Sequence, residues 1–113
     1  MEHMNDCLFC KIINGEMPSH KVYEDEDILA FLDINPVNYG HTLVIPKKHY
    51  ENLYETPDEA LAKLMAVVRK LAVSIRSGLN ADGTNIEMHN DEISGQLISH
   101  THIHIIPRFE GNK

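Results

Sequence analysis

Ile98-Ser99-His100-Thr101-His102-Ile103-His104-Ile105-Ile106-Pro107-Arg108 is the stretch on which the reading of this chain turns. As a strand it has a side-chain period of two, so His100, His102 and His104 take one face while Thr101, Ile103 and Ile105 take the other. Neighbours on one face stand roughly 6.5 Å apart, two strand rises. A core-facing strand would spend that face on apolar side chains, and three imidazoles there cost stability unless each nitrogen finds a partner. On the residues alone three explanations stay open. The row is structural with its nitrogens satisfied, or it holds a metal through histidines at i and i+2, or it performs catalysis on an anion, with imidazole as nucleophile and proton carrier.

The residues just upstream bear on the third explanation. Ser94-Gly95-Gln96 leads directly into the strand. A glycine at a turn lets backbone N–H groups come close to an anion, and the Gln96 amide adds a donor. Such donors stabilise charge at a phosphate without net positive charge on the protein.

Further outward, 113 residues of which 42% are hydrophobic match one domain with one core, and residues 1–113 read as a single unit without repeats or linkers. Ten Lys and Arg against 17 Asp and Glu give a net charge of -7, which repels a long polyanion; nucleic acid is not an expected partner. No stretch reaches the ~20 apolar residues of a membrane span, and the N-terminus lacks a signal-peptide pattern, so no membrane partner and a cytoplasmic location are expected. Residues 1–4 read as a disordered end or a cloning remnant, and carry no functional argument. Two cysteines, in Cys7-Leu8-Phe9-Cys10, exclude a disulfide framework and leave metal binding or redox chemistry.

The pattern predicts a short helix over 8–13 ended by Gly15. A hairpin of strands 21–24 and 28–32 follows, turning at Asp25-Glu26-Asp27, and then a strand over 42–45. Leu61, Leu64, Met65, Val68, Leu71, Ala72 and Ile75 share one helical face, predicting a helix over 57–77. Thr56 and Glu59 read as its capping box, and Gly78 as its left-handed end. Strands over 85–90 and 98–108 with a loop at 91–95 complete an α+β domain: an antiparallel sheet of about five strands, one long helix and a short N-terminal helix.

The segment Gly95-Gln96-Leu97-Ile98-Ser99-His100-Thr101-His102-Ile103-His104 with its apolar continuation resembles the signature of the histidine-triad (HIT) family. The resemblance extends in order through Cys7-Leu8-Phe9-Cys10-Lys11-Ile12-Ile13, Phe31-Leu32-Asp33-Ile34-Asn35-Pro36 and Gly40-His41-Thr42-Leu43-Val44-Ile45-Pro46-Lys47-Lys48-His49. It implies a HIT-like fold. It also implies a hydrolase or nucleotidyl transferase acting at the α-phosphate of purine nucleotide conjugates, either nucleoside phosphoramidates or dinucleoside polyphosphates. His102 would form the covalent nucleotidyl intermediate. A regulatory module that binds nucleotide with vestigial catalysis is the alternative.

By the same resemblance His104, Gln96, Asn90 and the backbone at Gly95 and Leu97 contact phosphate, while His41 supports the histidines. Leu8, Phe9, Ile12, Phe31 and Ile34 flank an AMP- or GMP-type base, and Asp33 holds the ribose hydroxyls. Zinc on Cys7, Cys10, His49 and His100 would be structural, with no organic cofactor, and the chain would form a homodimer. His20 and His89 match no motif position and read as surface or loop residues. Leu97 stands where relatives often carry a small hydroxyl residue, so only its backbone N–H would serve.

Overall fold

The computed structural model describes residues 7–111, so the reading of residues 1–4 lies outside it. Helix α1 (Leu8–Ile13) begins where the Cys7 sulfur accepts the Cys10 N–H at 3.3 Å, the place usually filled by a serine or aspartate oxygen. Gly15, at φ 81°, ends it. Strands β1 (Lys21–Glu24) and β2 (Ile28–Leu32) form an antiparallel hairpin. The Asp25 carboxylate closes its turn by accepting the N–H groups of Asp27 and Ile28 at 2.7 and 2.8 Å. Next come β3 (Thr42–Pro46), the long helix α2 (Asp58–Gly78), β4 (Gly83–Glu87) and β5 (Ile103–Arg108).

Among the described residues the sheet runs β1-β2-β3-β5-β4 with every pairing antiparallel, the α+β architecture that the sequence predicts. The last strand inserts between β3 and β4, so β5 lies inside the sheet. No helix there is long and apolar enough to cross a membrane.

Strand parity then assigns two cores. Ile28, Ala30, Val44, Ile103 and Ile105 meet Leu64, Val67, Val68 and Leu71 of α2 on one face. Leu29, Phe31, Leu43 and Ile45 meet Cys7, Phe9, Cys10 and Ile12 around α1 on the other. Because both faces are covered, β2 and β3 read as nearly unbroken apolar runs rather than alternating ones. His104 belongs to the α1 face, between Leu43 of β3 and Glu87 of β4 in the sheet register.

Four local expectations are corrected. Thr56 does not cap α2; its hydroxyl bonds the Asn52 carbonyl at 2.7 Å and the Thr101 hydroxyl at 2.8 Å, and Pro57 takes the cap position. Gly78 is the last helical residue, and the left-handed turn falls on Asn80, at φ 57°. Strand β4 stops at Glu87 rather than 90. Strand β5 starts at Ile103 rather than 98, because residues 99–102 bend to other partners: the Thr101 N–H goes to the Tyr50 carbonyl at 2.7 Å, and the His100 carbonyl faces an imidazole. The three histidines therefore do not line one flat strand face.

Candidate active site

The bend at residues 99–102 separates the histidines by function. His102 and His104 meet edge to face at 5.0 Å between ring centroids, whereas His100 turns away and packs at 4.9 Å against His49. Phe9 of α1 sits edge-on to both His102, at 5.1 Å, and His100, at 5.8 Å. His41 reaches His104 from the start of β3, at 5.2 Å between ring centroids. Gly40 brings it there: at φ 84° it adopts a conformation suited to glycine, and a Cβ at that position would run into the Leu79 side chain.

Hydrogen bonds fix which nitrogen of each ring carries the proton. His102 Nδ1 lies 2.6 Å from its own neighbour's carbonyl, His100 O, so Nδ1–H donates and Nε2 keeps its lone pair. The Val37 N–H donates to His41 Nδ1 at 3.0 Å, which places the proton of neutral His41 on Nε2. That Nε2–H points at His104 Nδ1, 2.9 Å away, and the Asp33 carboxylate lies 3.5 Å from His41 Nε2. His104 in turn carries its proton on Nε2. The chain from Val37 through His41 thus gives His104 an N–H donor on Nε2, beside the lone pair that the His100 carbonyl sets on His102.

Burial keeps these rings neutral. His104 is pushed down to about 4, first by desolvation and then by the neighbouring His102, His41 and His89. His102 is lowered by burial, against a smaller opposing effect of the His100 carbonyl, and burial also lowers His41 although Asp33 pulls the other way.

Some expected contacts are not arranged as the sequence suggests. The Gln96 amide is fully engaged: Nε2–H donates to the carbonyls of Glu51 at 2.7 Å and Ile98 at 3.0 Å, while Oε1 accepts the Asp91 N–H at 2.7 Å. Gln96 thus braces the loop instead of offering a donor to an anion, and the N–H groups of Gly95 and Gln96 bond the carbonyls of Glu92 and Asp91. Asn90 Oδ1 accepts the Leu53 N–H at 2.8 Å, which orients its side chain through the acceptor and not through its amide N–H groups. Phe9, Ile12 and Phe31 are buried in the core on the α1 side and Leu8 packs against it, so they offer a ligand the edge of a packed wall. Ile34 is 80% exposed and Leu97 88% exposed; neither is part of that wall.

The remaining set is Cys7, Cys10, His49 and His100. The His100 Nε2–H donates to the Pro46 carbonyl at 2.9 Å, which turns the Nδ1 lone pair toward both sulfurs. His100 Nδ1 lies 3.2 Å from Cys7 Sγ, 3.6 Å from Cys10 Sγ and 3.2 Å from His49 Nδ1, and Cys10 Sγ lies 3.3 Å from His49 Nδ1. A tetrahedron with zinc bonds of ~2.3 Å to sulfur and ~2.05 Å to nitrogen has edges of about 3.3 Å between nitrogens and about 3.6 Å between nitrogen and sulfur. The four residues fit zinc. Asp33, His41 and His104 also bring ligand atoms within 4.8 Å of one another, but the Val37 N–H on His41 Nδ1 keeps a proton on the nitrogen that a metal would need.

One pair escaped the sequence reading. His89 packs at a tilt against His104, 5.4 Å between ring centroids, and its Nε2 lies 3.2 Å from Glu87 Oε1. The signal was available in strand parity, since residues 87 and 89 share a face and β4 pairs with β5, but an isolated histidine next to a loop carries no motif.

A HIT domain family model matches residues 14–111. An uncharacterised HIT-like protein of Methanocaldococcus jannaschii is 56% identical over 106 residues, covering 94% of this chain and 81% of that protein. An Arabidopsis thaliana protein named adenylylsulfatase HINT3 is 48% identical over 94% of this chain, which spans 54% of that protein's length. Among solved structures, a zinc-bound histidine triad family protein from Mycobacterium smegmatis superposes with a TM-score of 0.92 at 43% identity, over 97% of this chain and 80% of that one. A histidine triad nucleotide-binding protein from Sulfolobus tokodaii gives 0.91 at 48% identity, over 93% and 70%.

Proposed function

As this chain belongs to the HIT domain family, we propose that it hydrolyses purine nucleotide conjugates at the α-phosphate through a covalent intermediate on His102. The observation that carries this reading is the 2.6 Å contact from His102 Nδ1 to the His100 carbonyl, which leaves Nε2 as a fixed lone pair in a buried, neutral ring. In the first step Nε2 attacks phosphorus, a P–N bond forms and the leaving group departs with its bonding pair. In the second, water attacks the same phosphorus, the P–N bond returns its pair to His102, and the nucleoside monophosphate is released. In this reading the His104 Nε2–H and the Asn90 amide N–H groups donate to the phosphate oxygens and take up their charge, supported by the engagement of His104 Nδ1 and Asn90 Oδ1 elsewhere. Asp33, beside His41, is the carboxylate suited to a ribose diol, and Leu8 with the edges of Phe9 and Phe31 to a purine.

The relatives named for nucleotide binding and for an adenylyl sulfate support adenine-type conjugates as substrates. The test is turnover of adenosine 5′-phosphoramidate and of diadenosine tetraphosphate. Release of AMP from either supports hydrolysis. Binding of AMP with no turnover of either moves the reading to a regulatory nucleotide-binding module.

The lowered His102 gives this reaction a pH signature. The nucleophile is the neutral ring, and a pKa depressed below the ordinary imidazole value of about 6.5 keeps it neutral as pH falls through that value. The acid limb of kcat/KM for diadenosine tetraphosphate is expected below pH 6.5. A limb centred at or above 6.5 contradicts a desolvated nucleophile.

Cys7, Cys10, His49 and His100 would hold zinc, which would supply cross-linking and no chemistry on the substrate. His100 uses its ring for the metal set and its carbonyl for His102, so ligation there holds the group that orients the nucleophile. A reducing cytoplasm suits two free thiols at this site. A homodimer is supported by β4, which lies at one edge of the sheet with Ile86 exposed. Light scattering should give twice the chain mass, and Ile86→Lys should shift it toward one chain; a monomer at all concentrations rejects the dimer.

A further inference from the structure

The bend that sets His102 is itself held by a pair of buried hydroxyls that the proposed reaction does not use. Thr101 and Thr56 are 1% and 6% exposed. Valine has nearly the same shape and would fill either place without the desolvation cost of a hydroxyl, so the polar atoms there call for a role. Their hydrogen bonds supply one. Each hydroxyl has a single proton to give. Thr56 gives its own to the Asn52 carbonyl at 2.7 Å, and the Thr101 hydroxyl, 2.8 Å away, then donates to Thr56 Oγ1. The Tyr50 carbonyl, at a longer 3.2 Å from Thr101 Oγ1, is already served by the Thr101 N–H at 2.7 Å. A directed chain of hydrogen bonds therefore runs from Thr101 through Thr56 to Asn52.

Both ends of this chain reach the site. Thr101 stands between His102 and the residue whose carbonyl accepts His102 Nδ1–H at 2.6 Å. At the other end Asn52 Nδ2 donates to the Asp91 carboxylate at 3.1 Å, and the Leu53 N–H beside it donates to Asn90 Oδ1 at 2.8 Å. Residues 50–56 thus hold both the bend of the nucleophile and the side chain of Asn90. In-line attack needs the nucleophile and the phosphate in fixed relation, and a misplacement of about 1 Å can cost ~100-fold in rate.

We propose that Thr56 and Thr101 are positioning residues for the reaction: their hydroxyl pair locks the bend at residues 99–102 to the Asn52–Leu53 segment and so fixes His102 relative to Asn90. This rests on the assignment of the attack to His102 given above. The hydroxyls neither touch substrate nor carry its proton; they act through the backbone on either side of them.

The test compares Thr101→Val, Thr56→Val, the double valine variant and Thr101→Ser in the full chain. Three quantities are read: kinetics on adenosine 5′-phosphoramidate, thermal unfolding, and solvent exchange of the His102 imidazole Nδ1–H by NMR, a signal identified by its loss in His102→Asn. Each valine should lower kcat about tenfold with KM within about twofold, because what is lost is alignment and not a surface that binds substrate. The His102 Nδ1–H should exchange about tenfold faster, as its hydrogen bond to the His100 carbonyl opens more often. Thr101→Ser, which keeps the hydroxyl, should restore both.

The double variant separates positioning from stability. It removes both partners together and leaves the Asn52 carbonyl with the Glu55 N–H at 3.3 Å, so it should melt within a few degrees of the wild type. Its kcat should nevertheless stay low and its Nδ1–H exchange fast. Should a single variant fail to fold, the double variant carries the answer alone. Exchange needs no turnover: faster exchange in a protein that hydrolyses nothing would uphold the hold on His102 and remove only the hydrolase reading. Unchanged exchange in the double variant, a kcat that recovers together with Tm, or a rise in KM that accounts for the loss overturns the proposal and leaves the two threonines as packing.

Discussion

His102→Asn is expected to lower kcat for an adenosine conjugate by about 10,000-fold or more, the scale of loss when a covalent nucleophile is deleted. Asparagine is the informative replacement because its Nδ2–H can still donate to the His100 carbonyl, as His102 Nδ1–H does at 2.6 Å, while nothing remains in place of Nε2. The backbone bend at residues 99–102 and the contact with Phe9 should therefore persist. The melting temperature should move by only a few degrees, and AMP affinity should stay within about threefold. His104→Asn separates the roles: it removes a donor and not the nucleophile, so a loss of about 100- to 1,000-fold is expected, comparable with the loss of one oxyanion donor. Rates measured on both variants, with thermal unfolding as the control, check this. Substantial turnover by His102→Asn would assign the attack to another group.

Removing zinc from the proposed site on Cys7, Cys10, His49 and His100 is expected to have the second-largest effect. Cys7 and Cys10 begin α1, His49 follows β3 and His100 leads into β5, so the four ligands join three separated parts of the chain. Loss of a buried cross-link of this kind costs about 3–5 kcal/mol, which lowers Tm by about 10–20 °C in a domain this size. Burial and the neighbouring Cys7 raise the Cys10 thiol to about 12 in the metal-free protein, so binding must displace a proton and weakens in acid. Cys7→Ser and Cys10→Ser should each abolish stoichiometric zinc measured by mass spectrometry and reproduce the chelator's Tm. They should lower kcat about tenfold more than they raise KM, because the disturbed group is the carbonyl behind His102 and not a surface that holds substrate. Equal Tm with and without chelator, or zinc retained in both serine variants, would remove the metal from the account.

The sequence made the architecture readable because each signal was local and repeated. The spacing of Leu64, Val68, Leu71 and Ile75 sufficed for α2, and Asp25 before Asp27 and Ile28 sufficed for the first hairpin. Strand parity rightly put His104 on the face opposite Ile103 and Ile105. It failed at residues 99–102, where the His100 carbonyl bonds an imidazole two residues on in place of a neighbouring strand; a side-chain partner of that kind has no periodic signature. The Thr56 cap failed similarly, since Asn52 and Thr101 compete for its hydroxyl and only the tertiary structure brings Thr101 near. Gln96 shows the limit for site residues. Its position beside a glycine turn suggested an anion donor, yet a buried amide must satisfy its own hydrogen bonds first, and the carbonyls of Glu51 and Ile98 take both N–H groups. His89 is the converse, a residue with no motif that acquires a place only when β4 pairs with β5.

The central claim is a covalent nucleotidyl-His102 intermediate, and the stereochemical course at phosphorus tests it most directly. Hydrolysis in ¹⁸O-labelled water of an adenosine conjugate chiral at its α-thiophosphorus gives AMP α-thiophosphate whose configuration can be read. Two successive in-line displacements, first by His102 Nε2 and then by water, predict net retention. Net inversion would mean that water attacks the substrate directly, and would contradict the covalent role of His102.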